Sequence, residues 1–297
     1  MKDKIIYGLI YSFFWLVASL PFRVLYLISD LLALLLYYVV GYRRKVVRTN
    51  LVNSFPEKDL SEIITIEKKF YRYISDYFLE EIKTMRISHE QLLKRMEYHN
   101  QKVFLDSIEK YGGVILLIPH YANFEWIIGM GAIMKDEDLP IQIYKPLSNK
   151  YFDKLFRHIR SRFGGVNVPK HSTVREIVRL RRDGIKMAIG LIADQNPNSS
   201  EARHWTTFLN QDTVFMDGGE RIAKMLNFPV IYCDLERIKR GYCKMTFQLV
   251  TDDPKNTAEG EITESFARRI EKTIYRDPAF WFWSHKRWKH KREQTNG

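Results

Sequence analysis

From Ile5 to Tyr42 the chain runs 38 residues with only two charged side chains, Arg23 and Asp30. Lys2 and Lys4 precede this stretch and Arg43-Arg44-Lys45 close it. A run of this kind has to leave water, and a full bilayer span needs about 20 apolar residues. Ile5 to Leu20 supplies 16 uncharged residues before Pro21, and Val24 to Tyr42 supplies a second run interrupted by Asp30. Each half alone is marginal and the two together exceed the need. As one helix they would extend about 57 Å at 1.5 Å per residue, so Pro21 bends the run or part of it lies along a surface. A signal peptide is excluded, because the region is too long and no small-residue cleavage site follows it. A buried helical hairpin of a soluble core is the plainer alternative. The pattern predicts a membrane-anchoring helical segment over residues 1–45, with the basic cluster on the cytoplasmic side. A single globular domain is then expected over 46–297. Arg23 and Asp30 lie seven residues apart, two helical turns, so they share a face and should meet each other or that domain rather than lipid.

The remaining composition narrows the partners. Lysine and arginine number 47 against 35 acids, a net charge of +12, which calls for an anionic partner: nucleic acid, phospholipid head groups or an acidic carrier protein. No zinc finger, RNA-recognition signature or basic zipper is present, and the apolar front would be odd in a nucleic-acid-binding protein. Two cysteines, Cys233 and Cys243, rule out a disulfide scaffold and a cysteine zinc site.

Residues 60–111 read as helices, with Ser61 as an N-cap and Ser88 with Gln91 as a capping box. Gly112-Gly113 stops them. Val114 to Pro119 is then a short continuous apolar run, as expected of a buried strand. Further strands are expected over Ile141 to Tyr144, Met187 to Ala193, Pro229 to Glu236 and Lys244 to Val250. Helical patterns fall at Asn123 to Met134, Ser148 to Phe163, Ser172 to Asp183 and Asp217 to Asn227. The alternation implies an α/β fold with a mixed, largely parallel sheet flanked by helices.

At the end of the first strand stand His120 and Glu125, an H-x4-E pair. With eight histidines in the chain, such a pair arises about once by chance, and His171 to Glu176 is a second match. Context separates them. His120 follows a buried strand at its C-terminal end, where open α/β sheets place their ligands, whereas His171 sits in a charged segment. Residues five apart on a regular helix diverge, so a working pair needs a turn, which Asn123 as N-cap supplies. The expectation is that Glu125 orients His120 as a general base. A structural loop histidine beside a first-turn acid is the bland reading.

Positive charge concentrates in two places. Residues 154–186 carry ten Lys/Arg against two acids and residues 268–292 carry nine against two. On a helical wheel Phe152, Leu155, Phe156, Ile159 and Phe163 share a face, with Arg160 and Arg162 at its margins and Lys154 and Arg157 outward. A guanidinium at the edge of a greasy face suits a phosphate whose chain lies on that face; solvated charge on snorkelling stems is the alternative. Trp281, Trp283 and Trp288 stand among Lys286, Arg287, Lys289, Lys291 and Arg292, which fits a membrane interface or a packed C-terminal helix.

These segments together resemble the late acyltransferases of lipid A biosynthesis, whose H-x4-D/E box His120 to Glu125 matches. Arg48-Thr49-Asn50-Leu51 with Phe55-Pro56-Glu57 resembles the run after that family's anchor. Tyr144-Lys145-Pro146 resembles its Tyr-Arg-Pro segment, Arg160 to Gly164 its arginine–glycine run, and Asp194-Gln195 its Asp-Gln after a strand. Trp283 to Lys289 resembles its C-terminal tail. Lys145 replaces an arginine, which removes a bidentate fork, and Phe208 lacks the following glycine. The resemblance implies a glycerol-phosphate-acyltransferase-like fold and transfer of a fatty acyl group from acyl-carrier protein to a hydroxyl of a phosphorylated glycolipid, a lipid A precursor. It implies catalysis by His120 and Glu125, substrate binding by Lys145, Arg160, Arg162, Asp194 and Gln195, and neither metal nor redox cofactor. It also implies the bacterial inner membrane, with the domain facing the cytoplasm. Another acceptor lipid (glycerophospholipid, aminolipid or glycolipid) is the alternative under the same chemistry.

Overall fold

The structure is a computed structural model that describes residues 2–197, 202–290 and 292; Lys291 of the basic tail lies outside them. The front end forms two helices, α1 (Lys2–Ser19) and α2 (Phe22–Leu34), with a π-helical turn at Leu35–Val39 extending α2. Pro21, lacking an N–H, separates them. Next come α3 (Arg44–Ser54), the long α4 (Leu60–Lys83) and the short α5 (His89–Leu93). The rest alternates: β1 (Met96–His99), α6 (Gln101–Tyr111), β2 (Gly113–Ile118), a 3-10 segment (Phe124–Ile133), β3 (Leu139–Tyr144), α7 (Lys150–Ser161), β4 (Val166–Pro169), α8 (Thr173–Arg182) and β5 (Met187–Ile192). The hairpin β6 (Ala202–Phe208) and β7 (Gln211–Met216) follows, then α9 (Gly218–Leu226), β8 (Val230–Lys239), β9 (Tyr242–Thr251) and α10 (Glu261–Arg276).

Seven strands form one sheet in the order β1-β9-β8-β2-β5-β3-β4. Only β8 and β9 pair antiparallel; the other neighbours run parallel. The α/β reading therefore holds. All six residues of β2 are buried, and each Ile or Leu so removed from water contributes roughly 1.5–3 kcal/mol. Gly113 opens that strand because the Phe228 ring lies where a side chain would stand, within 2.4 Å of a built Cβ.

Local chemistry explains the places where the sequence reading slipped. The N-cap of α4 is Asp59, whose carboxylate accepts from the Ser61 and Glu62 amides while Glu62 reaches back to the Asp59 amide. Ser61 is thus inside the helix. Ser88 does cap α5. The expected helical span 60–111 also conceals β1, a four-residue strand of alternating burial that pairs with β9.

Phe22–Val39 is, among the described residues, the one helical stretch long and apolar enough to cross a membrane, and 17% of it is buried. Its Tyr26, Ser29 and Asp30 face α4. Ser29 donates to Asp76 at 2.6 Å and Tyr26 to Glu80 at 2.9 Å. Asp30 pairs with Arg72 and Arg240, not with Arg23. Lys83 caps the end of α1 through the carbonyls of Ala18 and Leu20. The outer face carries Leu27, Leu31, Leu34 and Val39 in the open. The basic cluster is partly engaged within the fold, since Arg44 pairs with the buried Glu67 and Arg43 donates to the Ser284 carbonyl.

Candidate active site

Parallel pairing of β2 with β5 sets Ile118 opposite Ile192. Two residues beyond each partner lie His120 and Asp194, so the ladder brings them side by side at the C-terminal edge of the sheet. His120 Nδ1 and Asp194 Oδ1 are 2.5 Å apart, and the His120 amide donates to Asp194 Oδ2 at 2.9 Å. Trp281 Nε1 donates to the same Oδ2 at 2.8 Å. Asp194 is fully buried. Burial pushes its carboxyl up, yet the His120 charge and ring bond, the indole and the amide together hold it below the usual carboxylate range. A carboxylate fixed in this way selects the tautomer that leaves Nε2 as the basic nitrogen.

The carboxylate in contact with His120 is therefore Asp194, which the family resemblance had offered as a substrate contact, and not Glu125. Glu125 faces another way: both its oxygens accept from Arg160, at 2.6 Å from Nη2 and 3.1 Å from Nε. Desolvation pushes the Arg160 guanidinium down, but Glu125 and Glu81 more than compensate and hold it above its ordinary value. Burial, and then the Glu125 charge, push the Glu81 carboxyl well up. The ring of Phe124 lies edge-on to His120 at 4.9 Å and Phe282 lies 5.8 Å away, leaving the histidine side chain 17% exposed.

The loop between His120 and Glu125 is held from both sides. Ala122 has φ 49°, a left-handed conformation that costs a non-glycine residue about 1–2 kcal/mol. It persists because the Ala122 amide donates to the Phe280 carbonyl and the Tyr73 hydroxyl donates to the Ala122 carbonyl. Asn123 donates to Glu80 at 2.7 Å.

The tail closes the site from the opposite end of the chain. Asn50 donates to the carbonyls of Trp283 and His285 at 2.8 and 2.9 Å, which joins the Arg48-Thr49-Asn50-Leu51 run to the tryptophan tail. Trp281 and Trp283 are buried, so they pack the site and do not line a membrane interface. The tail is a chain of turns, not a helix.

Other expected residues separate. Arg162 donates to the carbonyls of Thr84 and Ile87, closing the end of α4 where phosphate binding had been expected. Lys145 lies on a cavity beside β3 and β5. Gln195 is half-buried next to Asp194. His171 is exposed, and Glu176 pairs with Arg175 and Arg179 instead. The sequence carried a signal for the His120–Asp194 pair: Val114 to His120 and Ala188 to Asp194 are apolar runs of equal length ending in a polar side chain.

A histidine locked to a buried carboxylate at the carboxyl edge of an open α/β sheet, beside an apolar helical hairpin, is an arrangement suited to an acyltransferase for lipid substrates. A sequence model of the bacterial lipid A biosynthesis acyltransferases matches residues 3–290. The chain belongs to that family, and its acceptor is of the lipid A type. None of the curated proteins matches it.

Proposed function

We propose that the chain transfers a fatty acyl group from acyl-carrier protein to a hydroxyl of a lipid A precursor, at the cytoplasmic face of the bacterial inner membrane. The observation that supports this most is the Asp194–His120 bond, which readies Nε2 as a base. Nε2 takes the hydroxyl proton as the oxygen attacks the thioester carbonyl, forming the C–O bond. The tetrahedral intermediate collapses with cleavage of the C–S bond, and the imidazolium returns the proton to the departing sulfur. Asp194 stabilises the imidazolium between the two steps. Glu125, shared with Arg160, orients the acceptor, and the surplus of cations favours both an acidic carrier and a phosphorylated glycolipid. The hairpin α1–α2 seats the domain on the membrane through its exposed apolar face.

The test is purified full-length protein in lipid vesicles with acyl-carrier-protein thioester and a lipid A precursor, read by mass spectrometry. The expected product is heavier by one acyl group and is lost with His120→Ala. Acylation only of an added glycerophospholipid would replace the acceptor, and use only of a coenzyme A thioester would replace the donor.

A further inference from the structure

An open groove of about 400 Å³ lies between the end of α2 and the middle of α4, and neither His120 nor Asp194 lines it. Its two walls differ in chemistry. Leu34 and Tyr38, both exposed, belong to the helical stretch that is long and apolar enough to cross a membrane. Lys68, Lys69 and Arg72 belong to α4, where spacings of three and four put them on one helical face. The buried Tyr37 and Tyr71 form the floor, their ring centres 5.2 Å apart. Tyr37 and Tyr38 both sit in the π-helical turn Leu35–Val39, and such turns are rare and appear mostly at functional sites. Positive charge is in surplus here. The one carboxylate of the groove, Asp30, is shared between Arg72 and Arg240. Glu67, next to Lys68 in sequence, is engaged by Arg44 and Arg48. Among the described residues Lys68 and Lys69 have no ion-pair partner.

We propose that this groove binds the phosphodiester headgroup of an anionic membrane phospholipid. Lys68, Lys69 and Arg72 hold the phosphate, and the acyl chains lie along Leu34 and Tyr38. The proposal rests on the seating of the hairpin in the membrane and not on the transfer chemistry. The two walls choose the occupant together. Cations alone suit any anion, but a ligand that also covers Leu34 and Tyr38 carries hydrocarbon beside its phosphate. Tyrosine and lysine are the side chains that meet headgroup and chain at one level of a bilayer. An acidic protein would match the cations, yet it would have to stand where the bilayer covers the outward face of α2. The volume falls within the roughly 300–1,000 Å³ of ligand clefts. The lipid so held is a fixed partner and not a substrate, because the histidine–aspartate pair lies outside the groove.

Flotation of the full-length protein tests this, with vesicles of phosphatidylcholine alone or mixed with phosphatidylglycerol. The mixed vesicles should bind it roughly tenfold more tightly, since each lysine near an anionic surface contributes about fivefold. Lys68→Gln with Lys69→Gln should abolish that preference and keep the binding to phosphatidylcholine. Lys255→Gln with Lys272→Gln removes the same charge from exposed positions outside the groove and should change little. An equal loss in both double variants would overturn the site in favour of bulk charge. A Lys68–Lys69 variant that keeps the vesicle preference but loses binding to acyl-carrier protein would overturn the lipid assignment as well. In detergent, short-chain phosphatidylglycerol and glycerol 3-phosphate are titrated by calorimetry. The lipid should bind, more weakly by roughly tenfold in the Lys68–Lys69 variant, and the free phosphate should not. Equal binding of the two ligands would reduce the groove to an anion site and refute the proposal. Protein that ignores both vesicles but binds the short-chain lipid through these lysines would sink the membrane seating and leave the groove assignment standing. Vesicle binding without any preference for phosphatidylglycerol would sink the groove assignment and leave the seating standing.

Discussion

Asp194 grips His120 twice, at the ring and at the backbone amide of the same residue. The ring contact sets the tautomer and the amide contact fixes the position of the ring above the sheet edge. Asp194→Asn keeps the shape but removes the charge that stabilises the imidazolium. Turnover should fall by about 10²–10⁴, as should that of His120→Ala, while His171→Ala stays near wild type. Initial rates under saturating substrates decide it; an active Asp194→Asn enzyme would refute the pairing.

Glu125 and Arg160 should behave as one unit. Removing either partner strands a part-buried charge, at a cost of about 3 kcal/mol. Glu125→Gln combined with Arg160→Met should cost less than the sum of the two single changes. Denaturant unfolding of the four proteins measures the coupling, and strict additivity would show that the pair contributes nothing.

Arg162→Ala should weaken the fold and leave the Michaelis constant for the lipid unchanged. Two carbonyl bonds to a cation are lost at the end of α4, worth about 1.5–3 kcal/mol. A raised Michaelis constant with unaltered stability would return this arginine to substrate binding.

His285 gives the stability a pH dependence. Burial pushes its imidazole down to about 4, helped by the charges of His120, Arg287 and Arg43 and opposed by Asp194. Below the unfolded value near 6.5 the unfolded chain binds a proton that the folded chain refuses, so stability falls with pH between about 6.5 and 4. The His285→Asn protein should show a shallower fall across that window in thermal unfolding. An identical slope would mean that other groups carry the acid sensitivity.

Deleting residues 1–41 should do more than detach the protein from membranes. The Glu80 carboxylate accepts from Tyr26 of α2 with one oxygen and from Asn123 of the histidine loop with the other. Deletion removes Tyr26 and also exposes Asp76, which loses the Ser29 hydroxyl. Activity on water-soluble substrates should fall, and Tyr26→Phe should lower it in the same direction. Full activity of the truncated protein would show that the hairpin is only a tether.

The strands were legible because buried parallel strands are written as short apolar runs, and Val114 to Pro119 needed no tertiary information. β1 was not, since Met96 to His99 alternates too briefly to stand out from the helices around it. The H-x4-E spacing marked the histidine that stands at the carboxyl edge of the sheet. It paired that histidine with Glu125, whereas the carboxylate in contact with it is 74 residues away and meets His120 only through the register of two strands. The tryptophan tail was left between a membrane interface and a packed helix for the same reason: the choice falls to packing only when Asn50, 233 residues before Trp283, is seen to fold the tail inward.

One stretch of α4, from Arg72 to Lys83, touches the apolar hairpin on one side and the histidine loop on the other. A single helix is about 10 Å thick. If the hairpin is seated in lipid as proposed, His120 would stand at a fixed height above the acyl chains, set by that helix. On the proposed function the enzyme would thereby sort hydroxyls by depth as well as by shape: a hydroxyl of the right chemistry on the wrong rung of the membrane would not meet Nε2.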